Sequence, residues 1–237
     1  MKKEQETSNI GALFDRIAHR YDFLNHLLSM NIDRSWRRKA VSMLDVPVGS
    51  VHVLDVAVGT GDLALEILRQ HKASAVTGLD VSVEMMRLGQ EKVAKAGLSE
   101  RVVFCEGSAM AMPMEDACFE AVTCAYGVRN FADLDAGLRE MYRVLKPGGQ
   151  LMILEFSHPT NRFFAWVYDL YFSHLLPFVG RLISGDKTAY RYLNRSVKAF
   201  VDGEQMCERL SQAGFSSIHY TPLTYGITTV YTARKLV

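Results

Sequence analysis

The residues best suited to chemistry lie in Leu54-Asp55-Val56-Ala57-Val58-Gly59-Thr60-Gly61-Asp62-Leu63. A glycine pair between an apolar run and an amphipathic one makes a tight turn, and because Gly59 and Gly61 carry no side chain a ligand can approach their backbone closely. Two glycines alone also describe an ordinary strand-to-helix turn. Asp80 adds weight, because it ends the next apolar run about 20 residues beyond the turn, where a carboxylate can accept both hydroxyls of an adenosine ribose. Two cofactor classes need such an acid. A dinucleotide would set its pyrophosphate on the helix N-terminus with Ala64 as the third small residue, so an NAD-dependent oxidoreductase stays open on these residues. Asp55 and Asp62 weigh against it: two carboxylates beside the turn would repel a pyrophosphate but suit the ammonium and sulfonium of S-adenosylmethionine.

Two further stretches complete the candidate site. In Cys105-Glu106-Gly107-Ser108-Ala109-Met110, small residues after a strand could hold an adenine edge, with Ser108 and Ala109 foremost. In Ala125-Tyr126-Gly127-Val128-Arg129-Asn130-Phe131, Arg129 and Asn130 could orient an oxygen-bearing ring by hydrogen bonds. Arg129 could equally pair with a local carboxylate such as Asp133.

These residues need elements that bring them to one edge. From Val51 onward, short β-branched runs alternate with helix-like segments, the pattern of a doubly wound parallel sheet. The expected strands are Val51–Val56, Ala75–Asp80, Val102–Glu106, Ala121–Ala125 and Leu151–Phe156, with helices at Asp62–Gln70, Ser82–Ala96 and Asp133–Leu145 as the crossovers. Ser82 should cap the second helix and Gly97 should end it. Beyond lie an aromatic helical segment, Asn161–Ile183, a helix near Asp202–Ala213, and strands Ser217–Pro222 and Thr228–Ala233 joined at Gly226, which predict an antiparallel edge. Residues 1–45 are helical by periodicity, with Phe14, Ile17, Tyr21, Leu24, Leu27 and Leu28 on one face, and could cover the carboxyl edge of the sheet as a lid. The expectation is an α/β, Rossmann-like single domain over residues 1–237: a mostly parallel seven-stranded sheet with an antiparallel edge strand, plus the lid and a helical cap over 157–200.

Bulk composition narrows the partner. The 237 residues suffice for one large domain. Lys and Arg number 27 against 26 Asp and Glu, so no basic excess points to nucleic acid. The four cysteines, Cys105, Cys118, Cys124 and Cys207, never approach a C-x-x-C spacing and read as reduced thiols, with no metal expected. Met1–Ser8 is polar and lacks the apolar core of a signal peptide, which predicts a cytoplasmic protein. Phe163–Ile183 is the most apolar stretch, but Asp169, His174, Pro177 and Arg181 interrupt the roughly 20 residues that a membrane span needs.

From about Phe14 to Lys235 the chain resembles the menaquinone and ubiquinone biosynthesis C-methyltransferases. The resemblance rests on Tyr21-Asp22-Phe23-Leu24-Asn25 continuing to Ser29 and Trp36, on Tyr126-Gly127-Val128-Arg129-Asn130, on Arg143-Val144-Leu145-Lys146-Pro147-Gly148-Gly149 continuing to Glu155-Phe156-Ser157, and on Tyr190-Arg191-Tyr192-Leu193 to Ser196-Val197. Leu24 stands where Met is usual, Asp33 where His is usual, and Ala125 where many members carry a cofactor-contacting Ser. The resemblance implies S-adenosylmethionine as cofactor, with Thr60, Asp80, Ser108 and Ala109 at positions that contact it. It also implies methylation of a ring carbon of a reduced, prenylated quinone: demethylmenaquinol first, a ubiquinone-pathway benzoquinol as the alternative. A quinol carbon becomes nucleophilic when a ring hydroxyl loses its proton. Asp22, or a water it holds, is the candidate base, with Tyr21, Arg129 and Asn130 placing the ring oxygens.

A prenyl tail makes the substrate a membrane solute, so the enzyme should meet it peripherally at the inner face of the bilayer. Phe163, Phe164, Trp166, Tyr168, Tyr171 and Phe172 could line the tail groove. Other readings stay open: a methyltransferase of the same fold acting on another phenol or a sterol, or a non-catalytic cofactor-binding scaffold in a quinone-biosynthesis assembly. Homo-oligomerisation is open as well.

Overall fold

The computed structural model describes residues 10–19, 22, 26, 29–46, 51–159, 161, 192 and 195–237. Residues 10–19 form helix α1. The remaining elements are α2 (Ile32–Ser42), β1 (His52–Val56), α3 (Asp62–Arg69), β2 (Ala75–Asp80), α4 (Val83–Lys95), β3 (Val102–Glu106), β4 (Phe119–Ala125), α5 (Leu134–Val144), β5 (Leu145–Phe156), α6 (Gly203–Gln212), β6 (Ser216–Leu223) and β7 (Thr228–Arg234).

The strands form one seven-stranded sheet in the order β3-β2-β1-β4-β5-β7-β6. β1 to β5 pair in parallel, and β7 runs antiparallel between β5 and the outermost strand β6. This is the mostly parallel sheet with antiparallel pairing at one edge that the segment pattern predicts. The order reverses between β1 and β4, and such a switch point leaves a crevice at the carboxyl ends of the strands.

Because side chains on a strand alternate, each central strand feeds two cores. Val53, Met152 and Leu154 face α2, α3 and α4, while Leu54, Leu151 and Ile153 face α5 and α6. That two-sided burial is why these strands read as continuous apolar runs. Ser82 caps α4 by accepting a hydrogen bond from the Met85 N–H at 3.2 Å, and Gly97 follows the helix at φ 69°. β5 starts six residues earlier than expected, at Leu145 directly after α5, because Leu145 already pairs with Phe119 across a register shift in β4.

All four cysteines are free thiols, Cys124 being buried. Among the described residues no helix is long and apolar enough to cross a membrane. The expected helix over 161–183 and the aromatic groove fall in 162–191, outside the described residues.

Candidate active site

At the switch point a cleft of about 670 Å³, part of it open to solvent, lies over the carboxyl ends of β1, β2, β3 and β4. Gly59, Asp80, Ser108, Ala109 and Asn130 line it, so five of the residues singled out from sequence share one cavity. The parallel register brings them together, since Asp55 sits beside Gly78 on one side and Thr123 on the other, and Asp80 beside Glu106.

The glycine turn needs its glycines. Gly59 has φ 54° and Gly61, which precedes α3, has φ 81°, both in the left-handed region. The Gly59 N–H donates to Asp80 Oδ2 at 2.8 Å and the Ser82 N–H to Asp80 Oδ1 at 2.9 Å. A carboxylate offers about four acceptor positions, so two remain for a pair of vicinal hydroxyls. Burial pushes the Asp80 carboxyl above its ordinary pKa, opposed by these backbone donors.

Asp55 lies beneath the turn, 1% exposed, and is not part of the cavity wall. Thr123 Oγ1 donates to its Oδ1 at 2.9 Å, while its Oδ2 is buried with no hydrogen-bond partner. Burial pushes its pKa up to about 7. The spare acceptor positions of Asp80 fit a ribose in the cavity, while Asp55, outside the cavity wall, acts on a cationic ligand group only through the turn above it. The shift also predicts a pH effect on folding. With an unfolded pKa near 3.8 and a folded pKa near 7, the folded state holds the proton longer, so stability falls as pH rises between those values. Asp55→Asn removes that penalty, and urea unfolding of the ligand-free protein should show a gain of about 4 kcal/mol at pH 8. The gain should vanish near pH 4.

Asp22 and Thr60 meet in a polar network that ties the N-terminal segment to the turn. Thr60 Oγ1 donates to Asp22 Oδ1 at 2.6 Å, and Lys92 of α4 reaches Asp22 Oδ2 at 2.5 Å, Asp62 Oδ1 at 2.7 Å and Thr60 Oγ1 at 3.0 Å. Arg37 bridges Asp62, at 2.9 Å, and Asp33, which also accepts from Ser29 at 2.5 Å. Burial raises the Asp62 carboxyl, but Arg37 and Lys92 outweigh it and hold Asp62 below its ordinary pKa. Both Asp22 oxygens are engaged and Asp22 is not among the residues that line the cavity, so here it anchors the turn. Tyr21 lies outside the described residues.

Arg129 and Asn130, neighbours in sequence, part company in space. Asn130 faces the cavity, and its Nδ2 donates to the Tyr126 carbonyl at 3.3 Å. Arg129 turns inward, only 5% exposed, where its Nη1 meets Glu155 Oε1 at 2.7 Å and the Tyr126 carbonyl. The guanidinium also lies 5.3 Å from the centre of the Phe156 ring. Its partner is Glu155 and not Asp133, which caps α5 through the Ala136 N–H at 3.1 Å. An Arg held this way joins the loop after β4 to the end of β5.

Several site features lay beyond sequence reasoning. Ala57 (φ 55°) and Tyr126 (φ 58°) both line the cavity in left-handed conformations that neither residue type favours. Gly127 admits the close approach of the two strand ends, since a Cβ there would lie 2.6 Å from Ala57 Cβ and 2.7 Å from Cys124 Sγ. Ile10, Phe14, Val81 and Met85 supply apolar wall. α1 is held over the cavity by Asp15, which accepts from Ser82 Oγ at 2.6 Å and from the Glu84 N–H at 3.1 Å. The one available signal was Glu155, an acid inside the apolar run Leu151–Phe156.

Comparison with known proteins shows the family. A family model described as the ubiE/COQ5 methyltransferase family matches residues 1–235. A demethylmenaquinone methyltransferase of Bacteroides fragilis is 44% identical over 231 residues, covering 98% of this chain and 94% of its own. A ubiquinone/menaquinone biosynthesis C-methyltransferase UbiE of Geotalea daltonii is 44% identical over 236 residues, covering 99% of each chain. Among solved structures, an S-adenosylmethionine-dependent methyltransferase of Thermotoga maritima superposes with a TM-score of 0.67 at 19% identity, covering 95% of this chain and 99% of its own, a likeness of fold.

Proposed function

The chain belongs to the ubiE/COQ5 methyltransferase family, and on that premise we propose that it transfers a methyl group from S-adenosylmethionine to a ring carbon of reduced demethylmenaquinone, completing menaquinol. The observation that carries this reading is the cavity at the switch point, which Asp80, Ser108, Ala109 and Asn130 line together beside the glycine turn. Asp80 would hold the ribose hydroxyls, Ser108 and Ala109 the adenine edge, and Asp55 the positive end of the cofactor across the turn of Gly59, Thr60 and Gly61. S-adenosylmethionine, when bound, supplies the methyl group on a cationic sulfur, so the protein's remaining task is to make a ring carbon electron-rich and to position it.

Asn130 Nδ2 donates a hydrogen bond to a ring oxygen and stabilises the negative charge that develops there as the hydroxyl proton leaves to water. Ile10, Phe14 and Met85 restrict solvent around the reacting carbon. The network of Asp22, Lys92 and Thr60 fixes the turn under the cofactor. In this reading residues 1–237 form a single methyltransferase domain, with 1–45 acting as a lid and 157–200 as a substrate cap.

The decisive experiment titrates the protein calorimetrically with S-adenosylmethionine, S-adenosylhomocysteine and NADH, then offers chemically reduced demethylmenaquinone and the benzoquinol precursor. Binding of both adenosyl ligands and methyl transfer to the naphthoquinol are expected. Binding of NADH alone would overturn the reading.

A prenylated substrate must be collected from a bilayer, since each buried CH₂ is worth about 0.8 kcal/mol. The proposal therefore extends to peripheral binding at an anionic membrane surface. The support is α2 and the turn before it, where Met30 is 73% and Ile32 37% exposed beside the exposed Arg34, Arg38 and Lys39. At about 1 kcal/mol per cation near such a surface, Arg34→Gln with Arg38→Gln should weaken binding to phosphatidylglycerol vesicles about thirtyfold. Sedimentation with those vesicles, and with neutral phosphatidylcholine vesicles as control, measures it; equal binding by the double variant would remove α2 from the membrane contact.

A further inference from the structure

Tyr192 belongs to Tyr190-Arg191-Tyr192-Leu193, a stretch with no task in the methyl transfer described above. Its hydroxyl lies 3.1 Å from Asn130 Oδ1 and donates to it. We infer that Tyr192 is a positioning residue that fixes which end of the Asn130 carboxamide faces the cavity, so that the site offers a ring oxygen a donor and not an acceptor. This rests on the quinol-methylation reading and gives that site its polarity.

The argument is one of donors and acceptors. A carboxamide can turn over end for end, and the two orientations present opposite groups to a ligand. Burial pushes the Tyr192 hydroxyl above its ordinary pKa, so it keeps its proton and remains a donor. The Tyr126 carbonyl, 3.3 Å from Asn130 Nδ2, can only accept. Tyr192 therefore holds Oδ1, Tyr126 holds one Nδ2 hydrogen, and the second Nδ2 hydrogen is left for the cavity that Asn130 lines. The 3.3 Å bond to Tyr126 is long, and Tyr192 supplies the second constraint from a segment beyond β5, far from the sheet edge in sequence.

Tyr192→Phe removes the hydroxyl and little else. Turnover of demethylmenaquinol by this variant should fall about tenfold in kcat, while the S-adenosylmethionine Kd and the melting temperature stay at wild-type values. Asn130→Ala should cost about a hundredfold in kcat, and the double variant should be no slower than Asn130→Ala alone, because Tyr192 acts through Asn130. Wild-type kcat in Tyr192→Phe, or losses that multiply in the double variant, would overturn the inference. If the wild-type protein binds S-adenosylmethionine yet leaves demethylmenaquinol unmethylated, the quinol reading itself fails and the inference falls with it.

Discussion

Asp80→Ala is expected to weaken S-adenosylmethionine binding by at least a hundredfold. The carboxylate spends one acceptor position on Gly59 and one on Ser82, leaving two for the ribose hydroxyls. A hydrogen bond to a charged acceptor is worth about 1.5–3 kcal/mol, and losing two of them exceeds the roughly 2.7 kcal/mol that a hundredfold change represents. The substitution also strips the Gly59 and Ser82 N–H groups of their acceptor, so the turn itself loosens. Asp80→Asn separates the two effects, since its amide oxygen can still accept from one backbone donor while the negative charge is gone. Calorimetry with S-adenosylmethionine and S-adenosylhomocysteine, beside thermal unfolding of each ligand-free variant, reads both quantities. A folded Asp80→Ala protein with unchanged affinity would remove this carboxylate from the cofactor site.

Glu155→Ala should destabilise the fold by about 3–5 kcal/mol, because it leaves a guanidinium buried without its counter-charge. Glu155 is fully buried and Arg129 nearly so. Beyond its side-chain pair with Arg129, Glu155 accepts from the Arg129 N–H at 3.3 Å and the Phe156 N–H at 2.8 Å, so one carboxylate joins the end of β5 to the loop after β4. Replacing both members by apolar residues of similar size, Glu155→Leu with Arg129→Met, should restore most of the lost stability, as buried pairs exchanged for packed hydrocarbon often do. Urea denaturation of the single and double variants tests this. A Glu155→Ala loss below about 1 kcal/mol, the scale of an exposed ion pair, would mean that water reaches the pair and that it does not organise the loop.

The two predictions differ in how far sequence alone could have carried them. The place of Asp80 in the cavity wall was legible because it follows from local facts: Asp80 ends an apolar run, at a fixed distance from a glycine turn, in a chain whose alternating segments make the neighbouring strands parallel. The same holds for Gly59 and Gly61, for the Ser82 cap and for the sheet with its antiparallel β7. Each is set by backbone conformational freedom, hydrogen-bond capacity or hydrophobic period within a few dozen residues.

Arg129 and Asn130 show where that reach ends. Adjacent in sequence and both able to donate hydrogen bonds, they were assigned one task, yet one faces the cavity and the other is held inward by an acid 26 residues away. Asp22 was read as a base from the sequence, which gave no sign that its oxygens meet Thr60 and Lys92, the latter 70 residues distant. The direction a polar side chain takes depends on which counter-charge the fold brings within about 3 Å, and Coulomb attraction in a poorly solvated site is steep enough for that encounter to decide. Sequence determined the sheet, the glycine turn and the place of Asp80 at a strand end, because short-range sterics and periodicity act along the chain. Tertiary structure alone decided which charges neutralise one another and that Asn130, not Arg129, lines the cavity, because those placements form between elements that only folding makes neighbours.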